Sequence, residues 1–206
     1  LLGVLSALYQ DRWVDKILLL LATSGMALPS FFVGIIFAWL FGYVWSDWTG
    51  LNMSGSLYEV DDLGRGEYVT WSNLVLPALT LGIRPLSVVL QLSRNSMLEV
   101  LSMDYVRTAR AKGLTTRSTL FNHALKNALN PVVTTISGMF ASLMAGAVFV
   151  EIIFSWKGIG WEIVNALEKY DLPIVMGAVL IIAVIFVVVN ILVDIFYGVL
   201  DPRVRV

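Results

Sequence analysis

A cluster of basic side chains lies between two apolar segments, in residues 104–113, which read DYVRTARAKG. The guanidinium groups of Arg107 and Arg110 and the ammonium group of Lys112 can donate charged hydrogen bonds to carboxylates or phosphates. Arg107 and Arg110 are three residues apart, so a helix would place them on one face. The spacing predicts a charged surface that another molecule presses against, rather than a centre of bond-making chemistry.

The two ends of this stretch carry signals for a helix start and a helix stop. Asp104 at the start would interact favourably with the helix dipole. Gly113 can adopt the left-handed conformation that ends a helix. Val106 and Ala109 would line a neighbouring, apolar face. We therefore predict a small amphipathic helix within a hairpin at residues 104–126, able to dock in a groove of a partner and to transmit motion.

The composition restricts the class of protein that carries this hairpin. The chain has 206 residues, of which 58% are hydrophobic and 14% charged, and its mean hydropathy is +0.80. Soluble domains carry roughly 25% charged residues, so the composition predicts an integral membrane protein. The net charge of −1 argues against a nucleic-acid partner.

No motif for metal binding or catalysis was found. The chain has no cysteine, and His123 is its one histidine, which excludes thiolate and multi-histidine metal sites within it. We interpret His123 as a packing residue of the hairpin. A G-x-x-x-x-G-K-[ST] phosphate loop is absent, as are paired aspartates, a Ser/His pair or H-E-x-x-H within the spans. We predict a chain that is not an enzyme, with no catalytic residue, no metal and no cofactor of its own.

Four apolar segments approach or exceed the roughly 20 residues that a helix needs to cross the hydrocarbon core. The predicted complete spans are residues 17–45, 74–97, 127–150 and 172–194. Together they predict an all-α fold, a polytopic transmembrane helical bundle forming one domain over residues 1–206. The first residues read like the end of an earlier helix, so we expect a preceding span. Pro29 predicts a kink in the first span.

The distribution of charge predicts the orientation of these spans. Basic residues dominate the predicted hairpin 104–126 and the C-terminal tail, and the loop 9–16 contains Arg12 and Lys16. Acidic residues outnumber the single arginine in loop 46–72. The positive-inside rule therefore predicts that the hairpin faces the cytoplasm.

The hairpin resembles the conserved loop of ABC-importer permeases, whose general pattern is E-A-A-x3-G-x9-I-x-L-P. Arg107, Thr108 and Ala109 stand at the E-A-A positions, and Gly113 stands at the glycine. The chain departs from the general pattern at four positions: Arg107, Thr108, His123 and Lys126. The variant RTARAKGL followed by HALKNAL is similar to the loop of permeases for dipeptides, oligopeptides and nickel.

Two further blocks carry the same resemblance. Residues 151–160, EIIFSWKGIG, resemble the subfamily's E-x-x-F-x-x-P-G-x-G block, with Lys157 in place of proline. Residues 190–205 resemble its N-x-x-x-D-x-x-Y…DPRxR ending. The resemblance covers nearly the whole chain.

The resemblance implies a multi-pass permease subunit in a bacterial or archaeal cytoplasmic membrane, which imports peptides or nickel by alternating access. It implies a second homologous permease, two ATPase subunits that hold ATP and Mg, a solute-binding protein outside, and the lipid bilayer as partners. The residues that it places at the contact with the ATPases are Arg107, Thr108, Ala109, Arg110, Lys112 and Gly113.

Two charged residues are candidates for the transport pathway. A charge near mid-membrane costs roughly 2.5–3.5 kcal/mol on insertion scales, so Arg84 is expected to face a protein interior or water. The alternatives for Arg84 are a buried structural pair, or an arginine that extends outward beside Pro85. The resemblance places Glu151 at the pathway mouth or against the binding protein. Asp194 is interpreted as a structural partner of a cytoplasmic arginine.

Three other interpretations of the chain stay open from its sequence. The basic residues of the hairpin would also follow the positive-inside rule if they only touched anionic lipid. The chain would also fit a secondary transporter or channel acting alone, or a scaffold without transport. A secondary transporter would need several ionisable residues at mid-membrane, and only Arg84 clearly qualifies.

Overall fold

The computed structural model describes residues 1–60, 66–115 and 118–200. Its α-helices are α1 (Leu2–Leu8), α2 (Trp13–Ala27), α3 (Ser30–Trp39), α4 (Ser46–Thr49), α5 (Ser72–Ser102), α6 (Asp104–Ala111), α7 (Leu125–Ile153), α8 (Ile159–Glu168) and α9 (Leu172–Leu200). Wider π-helical turns follow α3, at Leu40–Val44, and precede α7, at Thr119–Ala124. The all-α class predicted from the sequence is confirmed.

The predicted first span, 17–45, is divided rather than continuous. Helix α2 ends at Ala27, and Pro29 lies just before α3 with an extended backbone, φ −60° and ψ 140°. Proline disfavours a helical conformation in the residue before it, which is Leu28 here, so the expected kink becomes a break. The prediction of a loop at residues 9–16 is wrong for residues 13–16, because α2 already begins at Trp13.

The other predicted spans coincide with long helices. Helix α5 contains residues 74–97, α7 contains 127–150 and α9 contains 172–194. Among the described residues, α5 and Leu172–Leu192 are long and apolar enough to cross a membrane, and Trp13–Ala27 with Ser30–Val44 would add a third as one broken span. The single-domain assignment and the sidedness of the loops stay predictions.

The chain forms two compact units, each built from two separate segments. The first contains Leu1–Ala27 and Ile83–Met139. The buried residues of its core come from α1, α5, α6, the second π-helical turn and α7: Ala7, Met97, Val100, Val106, Leu120, Ala124 and Ala128. This core therefore includes the predicted hairpin.

The second unit contains Leu28–Gly82 and Phe140–Val206. Its buried core residues are Ala38, Leu76, Val150 and Phe154. It also carries the predicted outer loop, where strand β1 (Tyr58–Val60) pairs antiparallel with β2 (Glu67–Val69). The acidic residues Asp61 and Asp62 of that loop lie outside the described residues.

A buried asparagine fastens the described part of this loop to α5. Asn73 donates from Nδ2 to Glu59 Oε1 at 2.7 Å and to the carbonyl oxygen of Ser56 at 2.9 Å. Its Oδ1 accepts from Nδ2 of Asn52 at 2.7 Å. The loop is therefore held by side-chain hydrogen bonds to the first turn of a long helix.

Candidate functional site

The predicted amphipathic helix is present as α6, which begins at Asp104 as predicted and ends at Ala111, two residues before Gly113. Asp104 is in its first turn, where a carboxylate stabilises the helix dipole. After the helix, Gly113 has φ +84°, in the left-handed region, and the N–H of Leu114 donates to the carbonyl oxygen of Ala109 at 3.3 Å. An added Cβ at Gly113 would meet nothing within 4 Å, so the requirement for glycine there is conformational only.

The two faces of α6 differ in burial. Val106 is fully buried within the core of the first unit, and Ala109 is 7% exposed. Arg107 is 72% exposed at its side chain, and its guanidinium lies 3.7 Å from the fully solvated carboxylate of Asp104. An exposed pair of this kind contributes about 0–1 kcal/mol, so Arg107 is available to a partner.

The hairpin continues with a second limb that starts at Thr115. Its Oγ1 accepts from the N–H of Ser118 at 3.3 Å, and its carbonyl oxygen accepts from the N–H of Thr119 at 2.9 Å. Beside this turn, Thr115, Ser118, Phe121 and Asn122 line an open depression of about 380 Å³. Phe121 is 53% exposed within it.

We define the hairpin surface as five exposed residues of the two limbs: Arg107, Thr108, Lys112, Leu114 and Phe121. It combines two cationic groups with two apolar side chains on a fixed backbone. Such a mixture suits a protein partner, because charges steer the encounter and apolar side chains fill pockets.

The predicted contact residues divide between this surface and the structure beneath it. Arg107, Thr108 and Lys112 are exposed, whereas Ala109 is buried and Gly113 forms the turn. Ala109 and Gly113 therefore position the helix. The side chains of Arg110, His123 and Asp194 lie outside the described residues.

Arg84 projects from α5 with an exposed side chain. Within the part of the chain that the structure describes, no carboxylate forms an ion pair with it. The buried-pair alternative therefore gains no support here, and the pathway role stays a prediction.

Glu151 takes part in a compact cap between α7 and α8. Its Oε2 accepts from the N–H of Trp161, in the first turn of α8, at 2.7 Å. An added Cβ at Gly158 would lie 2.4 Å from the Glu151 carboxylate, and one at Gly160 would lie 2.8 Å from Cα of Val148. The glutamate and glycines of the block 151–160 thus form one structural feature, and the pathway role of Glu151 stays a prediction.

Sequence reasoning missed the most buried charges among the described residues. Arg94 of α5 forms an ion pair with Asp15 of α2. Its Nε lies 2.7 Å from Oδ1 of Asp15, and its Nη2 lies 2.7 Å from Oδ2. Asp15 is 1% exposed. Arg94 itself indicates such a pair, because an arginine inside the predicted span 74–97 needs an acidic partner. Asp15 falls in the predicted loop 9–16, whereas the structure places it in the first turn of α2.

Comparison with known proteins agrees with the resemblance read from the sequence. Residues 1–206 match the family described as binding-protein-dependent transport system inner membrane component. The chain is 40% identical over 221 residues to the dipeptide transport system permease protein DppB of Haemophilus influenzae, covering 100% of this chain and 65% of that protein.

Two further relatives give similar values. The dipeptide transport system permease protein DppB of Escherichia coli K12 is 40% identical over 219 residues, covering 98% of this chain and 65% of its own length. The di/tripeptide transport system permease protein DppB of Pseudomonas aeruginosa UCBPP-PA14 is 39% identical over 219 residues, with 100% and 65% covered. The chain thus spans 65% of the length of these relatives. It belongs to the family of inner-membrane components of binding-protein-dependent transport systems.

Proposed function

We propose that this chain is the permease subunit of an ATP-driven importer of dipeptides and other short peptides. The relatives reported above are named for dipeptides or for di- and tripeptides, which supports peptides and gives no support to nickel. The observation that carries the proposal is the hairpin, in which one short helix buries Val106 and exposes the charged side chain of Arg107.

In this proposal the chain pairs with a second homologous permease, and the pathway lies between them. Two cytoplasmic ATPase subunits hold ATP and Mg and contact the hairpin surface, and a solute-binding protein delivers the peptide outside. The chain contributes no catalytic group. Hydrolysis by the ATPases alternates the access of the pathway between the two sides of the membrane.

The packing beneath α6 supports its role as the element that receives the motion. Val106 belongs to the same buried cluster as Met97 and Val100 of α5, and as Leu120 on the second limb. Close-packed interiors are hardly compressible, so a force on α6 is passed to these neighbours. The hairpin can therefore move the membrane helices rather than bend against them.

The geometry also bears on the alternatives. Binding to anionic lipid needs charge near the membrane surface and no defined helix end. The hairpin instead has a helix closed by Gly113 and a second limb begun by Thr115. A stand-alone transporter would need several ionisable residues at mid-membrane. Because Arg94 pairs with Asp15, Arg84 is the arginine of α5 that forms no ion pair among the described residues.

Reconstitution tests the proposed function directly. The full-length protein with its co-purified subunits, in proteoliposomes, should import a labelled dipeptide only when ATP and the binding protein are present. Excess unlabelled dipeptide should compete, and Ni²⁺ should not. Uptake that continues without ATP would contradict the proposal in favour of a stand-alone transporter.

A matched pair of substitutions tests the role of the hairpin in that assay. Ala109→Phe places a large ring where α6 meets the core, whereas Ala111→Phe adds the same ring at an exposed position of the same helix. We expect Ala109→Phe to abolish uptake while membrane insertion stays normal, and Ala111→Phe to retain most uptake. Normal uptake by Ala109→Phe would refute the assignment of the hairpin.

A further inference from the structure

The ion pair between Asp15 and Arg94 has every strong acceptor position of its carboxylate engaged. The guanidinium contacts both carboxylate oxygens, each at 2.7 Å. Oδ1 also accepts from Oγ of Ser6, and Oδ2 accepts from the N–H of Asp11 at 2.9 Å. The pair therefore fixes four parts of the chain around one carboxylate.

A buried ion pair is weak evidence for stability, because desolvation of the two charges offsets much of their attraction. Its distinctive property is that it fixes the relative orientation of the two side chains, since a planar guanidinium contacts a carboxylate with both prongs only within a narrow range of angles. The side chain of Arg94 is 14% exposed and that of Asp15 is 2% exposed. The pair is therefore better suited to fixing the geometry of its neighbours than to adding stability.

The groups around Asp15 come from separate elements of the first unit. Ser6 is in α1, Asp15 is in the first turn of α2 and Arg94 is in α5. Asp11, in the turn between α1 and α2, has φ +62°, an unusual conformation for a residue other than glycine. Its N–H bond to Asp15 holds this turn, so the carboxylate sets the angle at which α1 and α2 meet α5.

Small residues bring the same helices close together. An added Cβ at Gly3 of α1 would lie 2.5 Å from the carbonyl oxygen of Leu90 in α5. An added Cβ at Gly25 of α2 would lie 2.3 Å from Oγ of Ser87 in α5. Both α1 and α2 thus lie directly against residues 83–102, the part of α5 that also carries Arg94.

The buried surface against which α6 packs begins one helical turn beyond the ion pair. Met97 follows Arg94 by three residues on α5 and is fully buried, and Ala7 follows Ser6 on α1. Both belong to the core cluster that contains Val106 of α6. Any change in how α1 contacts α5 therefore changes the surface on which α6 rests.

We propose that Asp15 and Arg94 are a positioning pair that fixes α6 on α1, α2 and residues 83–102, so that these elements move as one body. The inference rests on the proposed function, because it assigns the pair to the transfer of motion from the ATPases. It makes neither residue part of the peptide pathway.

The test replaces the pair by apolar residues of similar size. The combined variant Asp15→Leu with Arg94→Met removes both charges and leaves no uncompensated ion in the interior. Arg94→Lys is the matched control for charge, since it keeps the cation and loses the two-pronged contact. If the apolar variant fails to assemble, Arg94→Lys carries the same measurements by itself.

The first measurement reports position and does not depend on transport. These 206 residues contain no cysteine, so, once any cysteine elsewhere in the complex is replaced, spin labels can be attached at Trp13→Cys and Ala111→Cys, both exposed and outside the hairpin surface. In the assembled complex in nanodiscs, the parent should give one narrow distance distribution. The apolar variant should give a broader or shifted one, and an unchanged distribution would overturn the inference.

The second measurement is the number of ATP molecules hydrolysed per peptide imported, on unlabelled protein. We expect this ratio to rise by about ten-fold in the apolar variant, the scale of a typical coupling between sites, with a smaller rise in Arg94→Lys. An unchanged ratio would overturn the role in transferring motion. If the parent complex imports no peptide at all, the proposed function fails, while the spin-label result still decides whether the pair positions α6.

Discussion

The hairpin at residues 104–126 and the turn between α7 and α8 both depend on glycine and both carry charge, yet they use them in opposite ways. In the hairpin, Gly113 provides a left-handed backbone with open space around it, and Arg107 is exposed to solvent. In the α7–α8 turn, Gly158 and Gly160 provide room, and the carboxylate of Glu151 accepts a hydrogen bond from the first turn of α8.

This difference separates a docking surface from a structural cap. A charge that accepts a backbone N–H is already engaged, whereas a solvated charge on a rigid helix is available to a partner. Four sets of substitutions test this difference, and their expected effects on folding stability range from about 3 kcal/mol to about 0.5 kcal/mol or less.

The largest effect is expected in the α7–α8 turn, from Gly160→Ala. The new Cβ would lie 2.8 Å from Cα of Val148, and backbone cannot move aside cheaply. We expect overpacking to cost about 1–3 kcal/mol, seen as a lower thermal midpoint in detergent. Ala at Gly177, where an added Cβ meets nothing within 4 Å, is the control. Equal midpoints for the two variants would show that the turn is not packed as described.

Gly113→Ala should have a smaller effect on folding and a larger effect on uptake. A residue with a Cβ at φ +84° costs about 1–2 kcal/mol, although no neighbour is in the way. Part of the population would lose the end of α6 and with it the proposed contact to the ATPases. The resulting loss of transport is measured as peptide uptake per folded complex. Asn, which tolerates this conformation better, should recover part of the loss.

Two roles of Glu151, the hydrogen bond that caps α8 and the negative charge itself, can be tested separately. Glu151→Gln keeps an oxygen that accepts from the N–H of Trp161, whereas Glu151→Ala removes the acceptor and should cost about 0.5–2 kcal/mol. If the cap is its main role, the Gln variant should match the parent in both thermal midpoint and uptake. A Gln variant with a normal midpoint and poor uptake would instead favour the pathway role.

The smallest change in stability is expected for Arg107→Ala combined with Lys112→Ala. Both side chains are exposed, so the free energy of unfolding should change by no more than about 0.5 kcal/mol. Retention of the ATPase subunits during purification should nevertheless weaken at low salt, and the difference from the parent should shrink at high salt, because salt screens the ionic contacts that only the parent makes. Unaltered retention at all salt concentrations would remove these two residues from the interface.

Local features of the hairpin could be predicted from the sequence because its signals are local. An acidic first turn, apolar residues three apart and a glycine stop depend on nearby residues only, and α6 has all three. The break at Pro29 was underestimated, because proline in a long apolar run is compatible with either a kink or a break.

The partners of the charges could not be predicted in the same way. Asp15 and Arg94 are 79 residues apart, and no local pattern connects them. Glu151 and Trp161 meet through a turn whose geometry depends on two glycines that need room rather than a special φ. Long-range pairing follows from helix packing, which composition and periodicity do not specify.

The proposed binding of the ATPase subunits to the hairpin surface can be tested by site-specific photocrosslinking in the full-length complex. A photoreactive amino acid is placed at Arg107 and, as the comparison site, at Trp48, which is 92% exposed in the predicted outer loop. We expect position 107 to crosslink to an ATPase subunit and position 48 not to do so. A crosslink to an ATPase from position 48 but none from position 107 would contradict it.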